Sequence, residues 1–504
     1  MRSKKTLKNI KVDLVVTLLI VILGFISRKV FIEYMGADFT GLMLLFVQLI
    51  GMINIAEMGV GTATASLLYK PLTNNDHNTV SNILTSTVKV YRYISLLVFI
   101  VGIITGLIVY FSVPSVSSIK YAQLYWLIYV INTALSYRFA HYLILLTADQ
   151  KYHSTRLIQG GAKIVCISIQ LVVIFLFKNF FIYILCESAF LLIQFFLFSR
   201  KITSEYPYVK SHLNNNINNE FQQVKNKIKN VFFHKLGGVL VFNTDYLVIS
   251  KFLNLSAVTI YSSYMMIFQA LVMVVSILGN SVTASVGSFL TQKKIKEKKQ
   301  LWEQITILFF YLATCITLVT LVTITDFIRL WIGKDYVLDQ LTLYVLAFNL
   351  FVLISRISLD ILKNASGEFG DVHLPVLEGS INIIASIILA NKIGFIGVVV
   401  GTAISNILII CLAKPLYLFK RILYGSLFGF ILSIIKPVSL SALSIFLIMY
   451  FENFHHENND FYDWIISTIQ ITFFIVLTVT IIFSFSNEFR VVLKRLMSAL
   501  SRKG

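Results

Sequence analysis

Twelve ionisable side chains, Glu57, Arg138, His141, Lys163, Glu187, His234, Lys235, Asp245, Arg356, Asp360, Glu378 and Lys436, fall within apolar runs long enough to remove them from water. A charge at the centre of a bilayer costs at least ~2.5–3.5 kcal/mol, so each requires a partner, a wet cavity or a function. Arg28 adds a cation where the first apolar run meets a turn at Gly36, after an uncharged stretch from Leu14 to Ser27. Asn54 and Glu57 stand at i, i+3 ahead of the small-residue run GVGTATAS, and Arg138 and His141 repeat that spacing. His234 and Asp245 lie three helical turns apart, so they share a face about 16 Å apart, with Gly237 and Gly238 between them permitting close packing or a bend. Asp245 lies mid-run, with no charge from Leu236 to Thr244 ahead of it. Together these residues offer cations to an anionic group, and carboxylates that titrate or hold a cation.

Some of them have a plainer explanation. Arg356, Asp360 and Lys363 occur at i, i+4 and i+7 on one helix face and read first as a structural ion pair near an interface. Lys436 precedes Pro437, where snorkelling or helix packing explains it as well as a site does. Glu187 reads equally as a hydrogen-bonded structural carboxyl, and His234 with Lys235 as the headgroup end of a span.

The elements that position these residues follow from composition. The chain has 504 residues, 57% hydrophobic and 13% charged, with a mean hydropathy of +0.80, which excludes an ordinary soluble domain. About 20 apolar residues cross the hydrocarbon layer, and fourteen candidate spans are found at 12–33, 41–68, 93–113, 122–146, 158–177, 180–198, 232–252, 257–290, 302–325, 338–362, 375–391, 394–413, 425–450 and 464–486. The fold class is therefore all-α, a polytopic membrane protein. The fifth and sixth spans, and the eleventh and twelfth, are so close in sequence that each pair must form a tight hairpin. Cys166, Cys186, Cys315 and Cys411 all lie in apolar runs and read as small buried hydrophobes rather than disulfides or metal ligands. The basic amino terminus runs into an apolar stretch with no small-residue cleavage site and reads as an uncleaved first span.

The formal charge of +19 is explained mostly by topology. With the amino terminus inside, 30 of the 43 Lys and Arg residues fall on the cytoplasmic side, eight outside and five within spans. That bias puts both termini in the cytoplasm and requires no nucleic-acid partner. The polar stretch 199–231 separates two six-span blocks, giving lobes at 1–198 and 232–421 and a two-span extension with a basic tail at 422–504. Residues 31–65 can be laid over 249–283 at a constant offset, with Gly61 on Gly279, which suggests an internal repeat of the kind that builds transporters. No GxxxxGK[ST], HExxH or GxSxG motif occurs, and no outer loop is long enough for a catalytic site, so transport without chemistry is expected.

The segments RKVFIEYMGADFTGLMLL, NIAEMGVGTATA, NTDYLVISKFLNLSAVTIYSSYMMI and SVTASVGSFL resemble the first two and the seventh and eighth spans of polysaccharide flippases of the Wzx type. These belong to the superfamily of multidrug, oligosaccharidyl-lipid and polysaccharide exporters. The resemblance implies two six-helix lobes about a central cavity, two further helices, alternating access and a bacterial cytoplasmic membrane. It implies an undecaprenyl-diphosphate-linked oligosaccharide as substrate, with membrane lipids around it and a polymerase and glycosyltransferases in the same pathway. Arg28 matches a cavity-lining basic position and Asp245 an acidic one, and Glu57, Arg138 and Lys235 complete the expected substrate-binding set. The related lipid II flippases hold a cation between the seventh and eleventh spans, where Asp245 with Glu378 or Asn382 are the counterparts. No cofactor is expected beyond a proton or sodium gradient. The alternatives are a drug/cation antiporter of the same superfamily, which fits a twelve-span chain with an acidic cavity better, and a membrane glycosyltransferase or polymerase.

Overall fold

The computed structural model describes residues 2–57, 59–211, 244–292, 294–371, 373–450 and 458–501, which form helices and turns with no strand among them. The chain divides into two compact units, Met1–Thr259 and Ile260–Gly504. The helices of two turns or more are α1 (Arg2–Ile53), α2 (Val60–Thr73), α3 (His77–Ser112), α4 (Ala122–Ser136), α5 (Ala140–Ala148), α6 (Tyr152–Phe177), α7 (Phe180–Glu205) and α8 (Thr244–Phe252). They continue as α9 (Leu255–Gln292), α10 (Ile295–Trp331), α11 (Gln340–Ser355), α12 (Ile357–Ser366), α13 (His373–Ile393), α14 (Phe395–Ser405), α15 (Lys414–Leu423), α16 (Leu427–Tyr450), α17 (Phe461–Phe483) and α18 (Asn487–Ser501).

Among the described residues, eleven helical stretches are long and apolar enough to cross a bilayer. The other three expected spans are accounted for individually. The first and second share α1, which breaks at Gly36, where φ is +83°. Glycine reaches that φ without a Cβ penalty, so the turn expected there is a kink within one long helix. The fourth span is split into α4 and α5 by a turn at 137–139. Of the seventh, expected at 232–252, only Thr244–Phe252 is described. The expected hairpins are tight: Asn179 caps α7 by accepting from the Phe181 and Ile182 amides, and Gly394, at φ +66°, turns α13 into α14.

In the amino-terminal unit α1 lies along α6, α3 against α4, and α8 against α1. Trp126 of α4 donates from Nε1 to the Gly102 carbonyl at 2.8 Å, and its indole would be 2.2 Å from any Cβ placed on Gly106. In the carboxy-terminal unit α10 is the hub, touching α11, α16, α17 and α18 around a core that includes Ile307, Leu318, Ile475 and Phe483. Outward faces stay apolar: Leu96, Ile100, Leu107 and Phe111 on α3, and Ile469, Phe473, Leu477 and Ile481 on α17, are exposed. Continuous apolar faces on helices of this length require a bilayer around them.

Candidate functional site

The polar candidates collect where helices are interrupted. A short 3-10 turn at Asn54–Glu57 separates α1 from α2, Arg138 sits in the break between α4 and α5, and Arg356 joins α11 to α12. A π-helical segment, Asn406–Ala413, leads into Lys414. Broken backbone at membrane depth survives only where protein or water satisfies it, so interruptions mark places worth that arrangement.

In the amino-terminal unit the Asn54–Glu57 turn is read by two tyrosines. Tyr91 of α3 donates to Glu57 Oε1 at 3.1 Å, and Tyr137 donates to Asn54 Oδ1 at 2.7 Å while also meeting Glu57. Their rings stack at 5.8 Å with 20° between planes. Members of this group line two cavities, Tyr91 and Tyr137 the larger and Asn54 the smaller. One, of about 600 Å³, is lined by Tyr137, Arg92, Arg138, His141 and Tyr142 on its polar side, and by Leu96 and Phe99 among its apolar residues. The other, of about 320 Å³, holds Asn54, Asn132, Gln194 and an ion pair between Lys163 and Glu187 at 2.8 Å. Arg92 and Arg138 are both exposed in the larger cavity, and neither forms an ion pair among the described residues. Two such arginines with an imidazole, beside apolar lining, suit an anionic group attached to a lipid.

Arg28 lies on α1 in electrostatic contact with Tyr183 of α7 and Tyr246 of α8. Ser27 bonds the same Tyr183, and Tyr246 in turn feels the buried Asp245. Arg28 and Asp245 are thus linked through one tyrosine, inside one unit. Lys235 lies outside the described residues, as does His234.

Glu378 and Asn382 belong to the carboxy-terminal unit, one turn apart on α13, and both are buried. Arg356 Nη1 lies 3.6 Å from Glu378 Oε1 and its Nε lies 3.9 Å from Asp360, while Lys414 Nζ reaches Asp360 at 2.7 Å. Two acids and two bases therefore form one network. Lys363, on the same sequence stripe, instead pairs with the buried Asp371 at 2.5 Å. Asn382 donates to Thr402 Oγ1 at 2.9 Å, and Asn406, opening the π-helical segment, donates to Asn349 Oδ1 at 3.0 Å. Lys436 is held by Glu488 of α18 at 2.5 Å.

Sequence reading missed Arg92 and Lys414, which it assigned to cytoplasmic connections. The structure begins α3 at His77, so Arg92 lies well inside a helix, and the helical path continues through the π segment to Lys414. The available signal was the polar stripe Lys89, Arg92 and Ser95 running directly into the apolar face of α3.

No protein-family model and no curated protein matches this chain. Solved structures do. A lipid II flippase MurJ in an inward closed conformation superposes with a TM-score of 0.69 at 17% identity, covering 94% of this chain and 98% of that one. An inward-facing multidrug resistance MATE family transporter of the MOP superfamily gives 0.61 at 13% identity over 80% and 94%. A mutant of the Vibrio cholerae MATE transporter VcmN gives 0.53 at 14% identity over 85% and 99%. At these identities the likeness establishes the fold: the chain has the fold shared by MurJ and MATE transporters.

Proposed function

We propose that this chain is a flippase that carries an undecaprenyl-diphosphate-linked oligosaccharide from the inner to the outer leaflet of a bacterial cytoplasmic membrane by alternating access. Both termini are cytoplasmic in this reading, and a polymerase and glycosyltransferases act before and after it. One observation carries the proposal: Arg92 and Arg138 line a 600 Å³ cavity with no acidic partner among the described residues. Two arginines that face one cavity without a carboxylate are compensated when an anion arrives. The apolar lining accommodates the start of a lipid tail, and Arg28, Glu57 and Lys235 complete the substrate-binding set. The fold shared with a lipid II flippase supports the same reading.

Asp245 is proposed as the titrating acid of ion coupling, with Glu378 and Asn382 as further members. The guanidinium 3.6 Å from Glu378 favours a proton over sodium there, because Arg356 already occupies the position that a metal cation would need. A drug/cation antiporter is the weaker reading, since Glu57 and Glu187 are held by Tyr91 and Lys163 rather than presented to a cationic substrate.

The test is flipping of a fluorescent polyprenyl-diphosphate oligosaccharide in proteoliposomes. Arg92→Gln with Arg138→Gln, and separately Arg28→Ala, are expected to lower the rate at least tenfold while the protein stays folded. Full activity in both would overturn the assignment.

A further inference from the structure

Each arginine of the larger cavity in the amino-terminal unit directly follows a tyrosine that lines the same cavity. Tyr91 precedes Arg92 on α3, and Tyr137 precedes Arg138 in the break between α4 and α5. Both pairs divide in the same way: the tyrosine is buried and the arginine is exposed. On the far side of Arg138, Phe139 is buried as well and stacks on Phe198 of α7 at 5.7 Å, with 17° between ring planes. Arg138 therefore projects from between two anchored rings.

Both tyrosines are held by one short element. The Tyr91 hydroxyl donates to Glu57 and the Tyr137 hydroxyl to Asn54, so both end on the 3-10 turn Asn54–Glu57, and their stacked rings tie them to each other. Successive residues of a helix leave it about 100° apart, so pinning Tyr91 sets the direction in which Arg92 leaves α3. At the break, the Arg138 amide donates to the Leu135 carbonyl at 3.0 Å and the Phe139 amide to the Ser136 carbonyl at 3.4 Å. Residues 137–139 contain neither Gly nor Pro, and the bond from Tyr137 to Asn54 supplies the tertiary hold that keeps the turn. A long side chain whose backbone is already placed loses less freedom when it binds.

We infer, resting on the reading of this cavity as an anion site, that Tyr91 and Tyr137 are positioning residues that hold the Arg92 and Arg138 guanidinium groups at a fixed spacing for two linked phosphates. The Asn54–Glu57 turn thereby sets a preference for a diphosphate over a monophosphate. Two guanidinium groups on separate elements each take one phosphate of a diphosphate, whereas a monophosphate engages one of them fully. The second contact adds to affinity only while its geometry is fixed in advance, as for any second, linked binding event. The tyrosines act through the arginines, and the acceptors on the turn act through the tyrosines.

Flipping of the fluorescent polyprenyl-diphosphate oligosaccharide by the full-length protein in proteoliposomes is measured across substrate concentration, with unlabelled polyprenyl diphosphate and polyprenyl monophosphate as competitors. Tyr137→Phe keeps the ring stack and loses the bond to Asn54. It is expected to raise KM roughly fivefold with a nearly unchanged maximal rate, and to shrink the preference for the diphosphate competitor by a similar factor. Asn54→Leu removes the same bond from the other side and decides the question if Tyr137→Phe misfolds. The control is Trp126→Phe, which loses a buried bond between the same two helices, from Trp126 of α4 to Gly102 of α3, about three helical turns from either arginine. It should lower the melting temperature and leave KM and the preference where they were. Parental KM and preference in both Tyr137→Phe and Asn54→Leu, or an equal shift in Trp126→Phe, overturns the positioning role. Equal competition by the two phosphates in the unaltered protein overturns the inferred preference alone, and no competition by either overturns the assignment of the cavity itself.

Discussion

Removing Arg356 should destabilise the carboxy-terminal unit by an amount that removing Glu378 restores. Glu378 is 3% exposed and has Arg356 at 3.6 Å, whereas Asp360 retains Lys414 at 2.7 Å whatever happens to Arg356. At an effective dielectric near 20, the 3.6 Å contact corresponds to about 4–5 kcal/mol of attraction. Breaking a buried pair by deleting one member typically costs about 3–5 kcal/mol, while replacing both members with apolar residues is often neutral. Arg356→Met should therefore lower stability by about 3–5 kcal/mol. Glu378→Met should lower it by less, because Arg356 keeps Asp360. The double variant should recover most of the larger loss. For a unit of this size such a loss shifts the melting temperature by about 6 °C or more. Equilibrium unfolding of the purified chain and its three variants in mixed micelles measures all four corners of the cycle. An Arg356→Met protein within about 0.5 kcal/mol of the parent, or a double variant whose loss equals the sum of the singles, would refute the pairing.

Three further outcomes follow from groups at helix ends and breaks. Thr342 donates from its amide at 2.9 Å and from its hydroxyl at 2.6 Å to Asp339, which holds that carboxyl below the usual range. Its contribution is therefore present above the unfolded pKa and fades as pH falls through the folded one; Asp339→Ala should cost about 0.5–1 kcal/mol at pH 7 and progressively less as the pH is lowered below the ordinary carboxylate range, by thermal unfolding. At Lys151, burial alone would lower the ammonium, but hydrogen bonds with Asp149, Tyr206 and Glu205 outweigh it and hold it above the ordinary lysine range. The raised pKa makes its contribution full below the unfolded lysine value, lost only in strong alkali, so Lys151→Met should speed hydrogen exchange at 149–152 and 203–206 equally at pH 6 and pH 8. Tyr91→Phe removes the 3.1 Å bond to Glu57 and should cost about 1–3 kcal/mol in unfolding measurements, whereas Glu57→Gln, which keeps an acceptor, should cost less.

Much of this architecture was legible in the residues, because length and apolarity alone define a membrane span. The hairpins at Lys178–Asn179 and near Gly394 were legible for the same reason: the apolar runs leave no room for longer connections. The i, i+4 pair of Arg356 and Asp360 was also readable, but its extension to Glu378 and Lys414 was not. Those partners come from α13 and α15, distant in sequence, and only packing brings them together. Helix breaks were harder still. Gly36 announced its kink, whereas Tyr137–Phe139 and the stretch Asn406–Ala413 contain neither Gly nor Pro and read as continuous helix. Interruptions without a local breaker are imposed by tertiary contacts, here Tyr137 on Asn54 and Asn406 on Asn349. Arg92 was obscured because a basic residue at the edge of an apolar run looks like topology rather than a site.

Arg92 and Arg138 are proposed to receive a lipid-linked anion. The most direct test of that role is transport by the unaltered protein of two fluorescent lipids in proteoliposomes, one a polyprenyl-diphosphate oligosaccharide and the other the same oligosaccharide on a neutral polyprenyl glycoside. Protein-dependent flipping of the diphosphate, blocked by excess unlabelled diphosphate lipid, and little flipping of the neutral glycoside are expected. Equal flipping of both lipids, or no protein-dependent flipping of the diphosphate, would contradict that role.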